Sequence, residues 1–173
     1  YTHEFPPFQG GIATSAKMIA DILSPENELT VCCPDYGIDN FTEPENFRTH
    51  RIRFVGGRNF KKVPLAQYIS GFFEIKEMIK TFKPDKIIFL GEEAELIGGL
   101  LNNKEIDQIV RIAGSGIQSI IKKKSIFKII SRFLLKRLYR NSKNIIAVSM
   151  NTKKLMESEN EFFSDNKIRL IYN

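Results

Sequence analysis

Only two cysteines occur in 173 residues, and because Cys32 and Cys33 are adjacent they cannot build a disulfide framework. Only two histidines, His3 and His50, accompany them, so no zinc-ligand spacing arises and no metal is expected. This usage points to a reduced, cytosolic setting. Long apolar runs are also missing: a stretch such as 145–148 falls far short of the roughly 20 residues a membrane-spanning helix needs. The first residues lack the basic start and apolar stretch of a secretory signal. Neither a GxGxxG fingerprint nor a Walker loop is present, which removes the main support for dinucleotide or ATP binding.

What is present is the composition of an ordinary globular domain, with 42% hydrophobic and 27% charged residues, in a chain of one-domain size with enough residues for a real core. Basic residues outnumber acidic ones, 26 to 20, for a net charge of +6. That balance suits an anionic partner, whether phospholipid, nucleic acid or a phosphorylated substrate, without choosing among them.

Helical spacing of Ile12, Ala16, Ile19, Ala20 and Leu23 predicts a helix over 12–23, stopped by Ser24-Pro25. A short strand follows at 29–33, and a polar Asp/Asn/Glu/Gly/Pro loop at 34–49 is longer than most connections in a domain. A strand at 50–55 and a glycine-containing basic loop lead to a helix at 65–82. Then come strands at 86–90, 108–113, 144–148 and 168–172 and helices at 94–101, 125–141 and 151–157. Ile- and Val-rich strands separated by helices specify βαβ units: an α/β fold with a Rossmann-like parallel sheet covered by helices on both faces. The first residues read as the end of a strand and 167–173 as a strand with nothing after it, so the chain is expected to be clipped at both ends.

The most informative stretch is Phe5-Pro6-Pro7-Phe8-Gln9-Gly10-Gly11-Ile12, where a strand end passes through paired prolines and glycines into a helix. Glycine lets backbone approach a ligand, and the amides and positive end of a helix favour an anion such as a phosphate. A purely structural tight turn is the other reading of Gly10 and Gly11.

These residues resemble the opening of the retaining glycosyltransferases of family 4, which have the two-domain GT-B architecture. A second stretch, Asn144-Ile145-Ile146-Ala147-Val148-Ser149 followed by Lys167-Ile168-Arg169-Leu170-Ile171-Tyr172-Asn173, is similar to the family's run into its interdomain hinge, and the order of strands agrees over essentially the whole chain. The resemblance implies the N-terminal, acceptor-side domain of an enzyme that transfers sugar from a nucleotide-sugar donor to a saccharide or lipid-linked acceptor. A C-terminal domain, absent from 1–173, would bind the nucleotide and carry paired acidic residues. The isolated chain would be inactive. Gly10 and Gly11 would face the donor phosphate or sugar, and Asn173 would fall in the hinge. Neither cofactor nor metal is implied, and the setting would be cytoplasmic, at or near the inner face of the cell membrane, in polysaccharide or glycolipid synthesis.

One departure stands out. Many members place a histidine and then a glycine after the strand at 108–113, where this chain has Ala113-Gly114-Ser115-Gly116. Ser115 and the backbone of Gly114 are the candidates to take over donor contacts, unless the glycines serve the turn alone.

Further candidates sit elsewhere. Glu92 and Glu93 follow a strand's carboxyl end, where open α/β sheets bind ligands; they would orient acceptor hydroxyls or stabilise a helix N-terminus. Arg51, Arg53, Arg58, Lys61 and Lys62 cluster with Phe54 and Phe60. The cluster, with Arg58 its acceptor-side candidate, would meet an anionic acceptor; single-stranded nucleic acid is the less favoured partner, since no nucleic-acid motif accompanies it. Lys128, Arg132, Lys136 and Arg140 recur every four residues, with Ile126, Ile130, Phe133, Leu134 and Leu138 expected to pack on the sheet. That basic side is either a solvated face or a docking face for anionic membrane. The alternative to an enzyme is a non-catalytic basic α/β module that binds an anionic membrane surface or nucleic acid. His3 and His50 read as polar loop and strand-end residues, and Cys32 and Cys33 as pointing to opposite sides of one strand.

Overall fold

Short runs of β-branched and aromatic residues between helical repeats build parallel strands here, and every strand pairing among the described residues is parallel. The structure, a computed structural model, describes residues 1–37, 41–53, 66–112, 126–159, 162–163 and 167–172. It divides into two units, Tyr1–Lys83 and Pro84–Asn173. Parallel strands alternating with helices are the Rossmann-like α/β class that the sequence pattern predicts.

The first unit contains helix α1 (Gly11–Leu23), a 3-10 turn (Ser24–Glu26), strands β1 (Thr30–Pro34) and β2 (Arg48–Ile52), and helix α2 (Ala66–Phe82). Helix α1 buries Ala13, Ala16 and Ala20, a stripe of small side chains at helical spacing. Strands β1 and β2 pair from Thr30↔Arg48 to Pro34↔Ile52, and the Asp35 amide extends the ladder to the Ile52 carbonyl at 2.8 Å. The Thr2 amide donates to the Cys32 carbonyl at 3.1 Å, so the opening residues do run beside a strand. Helix α2 stops where Lys83 turns left-handed, with φ 45°, before Pro84, as the Lys-Pro step predicts.

The second unit contains β3 (Lys86–Leu90), α3 (Glu92–Leu101), β4 (Asp107–Ile112), α4 (Ile126–Asn141), β5 (Asn144–Ala147), α5 (Met150–Ser158) and β6 (Ile168–Leu170). Its four strands pair in chain order. One row of partners, Phe89, Val110, Ile145 and Ile168, crosses the whole sheet and is buried at every position. Burial of such side chains contributes on the order of 2 kcal/mol each, which makes this row the centre of the core. Helix α5 starts on Ser149, whose Oγ accepts from the Thr152 amide at 3.1 Å; α3 ends on Asn102 in the left-handed conformation, which asparagine tolerates.

Helix α4 turns inward only part of the side its sequence suggests. Leu138, expected to pack inward, is buried together with Leu135 and Tyr139, and Leu134 is half-buried, whereas Ile130 and Phe133, also expected on the sheet, are exposed with Ile129; the Ile126 side chain lies outside the described residues. The reason lies on α3. Gly98 and Gly99 let that helix approach so closely that a Cβ on Gly99 would lie 2.3 Å from the Leu134 carbonyl oxygen. This contact, with a buried hydrogen bond from Tyr139 to Glu95, sets the rotation of α4. Of the expected basic side, Arg132 lies over the Phe162 ring at 5.4 Å, Lys136 is half-buried and Arg140 is exposed. The Lys128 side chain lies outside the described residues.

Candidate functional site

Prolines at 6 and 7 bring no N–H groups, so the segment entering α1 needs outside partners to hold its shape. Phe5 is fully buried, edge-on to Phe47 at 6.1 Å, and anchors one end. The Phe8 amide donates to the Phe5 carbonyl at 3.0 Å and closes a turn around the prolines. The Phe8 ring lies 5.3 Å from Tyr36, whose hydroxyl donates to the His3 carbonyl. Burial pushes the Tyr36 phenol well above its ordinary pKa, so it keeps the proton it donates.

The two glycines at the helix start have different surroundings. Gly10 is extended, with φ 173°, a conformation open to any residue, but a Cβ there would lie 2.9 Å from Glu4 Oε2 and 3.4 Å from Phe8. Glycine at position 10 therefore makes room for the protein itself. At Gly11 a Cβ would meet nothing within 4 Å among the described residues. The first turn of α1 carries no acidic residue and no side-chain cap, which leaves its positive end uncompensated from within the helix. Among the described residues, open space beside Gly11 thus adjoins a helix start whose first amides have no side-chain cap.

Arg51 braces this segment from β2. Its Nη2 donates to the Pro6 carbonyl at 2.6 Å, while Nε and Nη2 hold the two Glu43 carboxylate oxygens at 2.8 and 3.0 Å. Nη1 donates to Cys33 Sγ at 3.1 Å, and the guanidinium carbon lies 5.7 and 5.4 Å from the Phe5 and Phe41 ring centroids. The sequence groups Arg51 with a basic cluster waiting for an acceptor; the structure gives it to Glu43 and the proline loop. Arg53 is exposed, 3.7 Å from Asp35. Arg58, Lys61, Lys62, Phe54 and Phe60 lie outside the described residues.

At the carboxyl end of β3, Gly91 takes φ 91°, a value that favours glycine, and turns the chain directly into α3. Glu92 and Glu93 occupy the first helical turn, half-buried, where acids complement the helix dipole. Glu95, the third acid of that turn, has nothing in the local sequence to set it apart from Glu92 and Glu93. Its carboxyl is buried and takes the Tyr139 hydroxyl at 2.5 Å. Burial pushes its pKa to about 8; the Tyr139 hydrogen bond opposes the shift and the Glu92 and Glu93 charges add to it.

Gly114, Ser115 and Ala113 also fall outside the described residues. Just before them, Arg111 is buried in β4 between Leu90 and Ile146, where desolvation lowers its pKa. His3 pairs with the Tyr1 hydroxyl at 3.0 Å and His50 with Glu74 at 3.2 Å. Both thiols are buried; burial raises the pKa of Cys32 and pushes Cys33 to about 12, so neither is a ready nucleophile. Among the described residues no helix is long and apolar enough to cross a membrane.

Comparison with known proteins adds one match. A family model described as Glycosyltransferase Family 4 covers residues 9–173 of the chain. No curated protein matches it.

Proposed function

We propose that this chain, which belongs to glycosyltransferase family 4, is the N-terminal, acceptor-side domain of a two-domain GT-B enzyme. That enzyme moves a sugar from a nucleotide-sugar donor to a saccharide or lipid-linked acceptor with retention of anomeric configuration. The observation that supports this reading is the first turn of α1: open space beside Gly11, no acidic residue, and a braced loop in front of it. Negative charge grows on the departing phosphate as the bond to the sugar breaks, and preorganised amides at a helix start stabilise such charge without reorganising. Gly10, Gly114 and Ser115 complete the donor side of this reading; Glu92, Glu93 and Arg58 are its acceptor-side candidates. The donor is a substrate, and the reading calls for no cofactor or metal.

The test is turnover. The full natural protein that contains this chain is incubated with a panel of nucleotide-sugars and mixed saccharide and lipid acceptors, and nucleoside diphosphate release is followed beside residues 1–173 alone. Release by the full protein and none by the fragment is the expected result. Robust transfer by the fragment would sink the need for a second domain, and no release from any donor would sink the transferase reading.

Helix α4 supports a place for the enzyme at the cytoplasmic face of an anionic membrane. Ile129 and Phe133 are 65% and 63% exposed, and no acidic residue occurs between Asp107 and Glu157. An apolar strip beside Arg137 and Arg140 lies in a lipid interface, where each nearby cation adds about 1 kcal/mol. Cosedimentation with phosphatidylglycerol vesicles, lost in phosphatidylcholine and weakened by Phe133→Ser, is the expected outcome. Equal binding to both lipids would refute it.

A further inference from the structure

Arg51 belongs to a strand, yet its guanidinium reaches two loops: Pro6 in front of α1 and Glu43 between β1 and β2. We infer that Arg51 is the positioning residue of segment 5–11, which sets where the open first turn of α1 meets a nucleotide-sugar donor; the inference rests on the transferase reading above.

Three features carry it. Pro6 and Pro7 have no N–H with which to build a backbone ladder, so the path of this segment depends on donors that reach its carbonyls. Arg51 supplies one of these, with a planar fork that cannot tilt away without also leaving Glu43. The guanidinium is committed in the same geometry to both Glu43 oxygens, to Cys33 Sγ and to the faces of Phe5 and Phe41. Its charge is therefore answered inside the protein. Arg51 acts on the donor through the Pro6 carbonyl and is not itself a phosphate ligand. Glu43, whose side chain is the more exposed of the pair, holds the fork from the loop side.

Positioning of this kind matters to a transferase because a displacement of about 1 Å at the reacting group costs up to roughly a hundredfold in rate. Gly11 follows Pro6 by one short turn, and a Cβ added to its neighbour Gly10 would lie 3.4 Å from the Phe8 ring of the same segment. Freeing the Pro6 carbonyl therefore loosens the ground on which α1 begins.

The experiment uses the full natural protein with Arg51→Met, Arg51→Lys and Glu43→Gln, and reads three quantities: thermal midpoint, amide exchange at residues 8–14, and kcat/KM for a nucleotide-sugar that the wild type turns over. In Arg51→Met, exchange at 8–14 rises roughly tenfold or more while β1 and β2 amides stay protected. In the same variant kcat/KM falls by roughly tenfold or more. Arg51→Lys, which keeps one N–H for Pro6, recovers part of both. Glu43→Gln, which weakens the hold on the fork but leaves the Pro6 tie, raises exchange at 8–14 and lowers kcat/KM less than Arg51→Met does. A larger effect than that of Arg51→Met overturns the assignment to Arg51. Unchanged exchange at 8–14 in Arg51→Met overturns the inference. So does exchange raised evenly through Tyr1–Lys83 with kcat/KM per folded molecule intact, the signature of a purely structural arginine. If Arg51→Met does not fold, a folded Arg51→Lys with wild-type exchange and turnover overturns it equally. A wild type that turns over no nucleotide-sugar overturns the transferase reading instead, while exchange at 8–14 still decides whether Arg51 shapes the loop.

Discussion

The carboxyl of Glu95 on α3 accepts a hydrogen bond from the Tyr139 hydroxyl on α4 at 2.5 Å, with both residues buried. Tyr139 is in turn stacked on Phe163 at 4.7 Å. A carboxylate in such a place is costly, and the desolvation that raises the Glu95 pKa to about 8 keeps it protonated at neutral pH. The neighbouring charges, Glu92 and Glu93 on its own helix, push the same way.

Stability of the second unit should therefore fall as pH rises. The folded pKa lies above that of an unfolded glutamate, so the contribution of Glu95 is fully present below about pH 4.5 and is lost as pH climbs through about 8. Between those limits the loss is on the order of a few kcal/mol. Glu95→Gln keeps an acceptor for Tyr139 and removes the titration. Thermal unfolding followed at several pH values should show the wild-type midpoint dropping across this window and the variant nearly flat. Parallel profiles for the two proteins would refute the assignment.

Helix α3 approaches α4 through two glycines with different tolerances. At Gly99 an added Cβ would strike the Leu134 carbonyl oxygen at 2.3 Å and its carbon at 2.7 Å, and backbone atoms cannot rotate aside. At Gly98 it would meet Leu138 Cδ1 at 2.9 Å and the Phe89 ring at 3.1 Å, side-chain atoms that have some give. Gly99→Ala should cost about 1–3 kcal/mol in chemical denaturation, net of the higher helix propensity of alanine. Gly98→Ala should cost less, and the reverse order would contradict this packing.

Much of this architecture was legible from local pattern. The pattern marks the strand Lys86–Leu90 to the residue and β4 and β5 to within one, because Ile/Val runs bounded by Pro, Gly and Asn leave little choice. The inward side of α4 is legible only in part, through Leu138 and the half-buried Leu134, and not through Ile130 or Phe133. Apolar residues surround its sequence, from Ile129 and Ile130 to Leu134, Leu135 and Leu138, and offer more than one stripe. The choice is made by Gly98, Gly99 and Glu95 on another element, too remote for periodicity to register. Arg51 was obscured in the same way. In sequence it is one cation among several, and what distinguishes it are Glu43 and the Pro6 carbonyl, brought in by loops. Gly10 and Gly11 were recognised as a pair, but only the surroundings separate a glycine that accommodates Glu4 from one that faces open space.

The start of α5 depends on a single cap. Ser149 Oγ accepts from the Thr152 amide at 3.1 Å and satisfies a donor that the helix itself leaves unpaired. Ser149→Ala should cost about 1 kcal/mol and Ser149→Asp little, read as shifts in denaturation midpoint at constant slope. Equal loss in both would mean that the cap is not what holds this end.

Gly10 and Gly11 allow the donor site to be separated from the fold. Gly11→Ala adds a methyl where no atom of the described residues lies within 4 Å, at the first residue of a helix, so stability should hold or rise by up to about 1 kcal/mol. If the donor phosphate or sugar occupies that space, the same methyl reduces nucleoside diphosphate release by the full protein by roughly tenfold or more, since a small misplacement at the reacting centre is amplified in rate. Gly10→Ala differs: its methyl meets the Glu4 carboxylate at 2.9 Å, and alanine is a poorer residue than glycine at a helix N-cap, so part of its effect must show as lost stability. Thermal midpoint and turnover measured on both variants give two independent axes. A stable Gly11→Ala with wild-type turnover would place the donor away from this turn. A stable Gly11→Ala without turnover has no explanation among the described residues, because none of their atoms lies where the methyl is added, and bound donor that no longer protects this turn from amide exchange in the variant would assign the lost contact to the substrate.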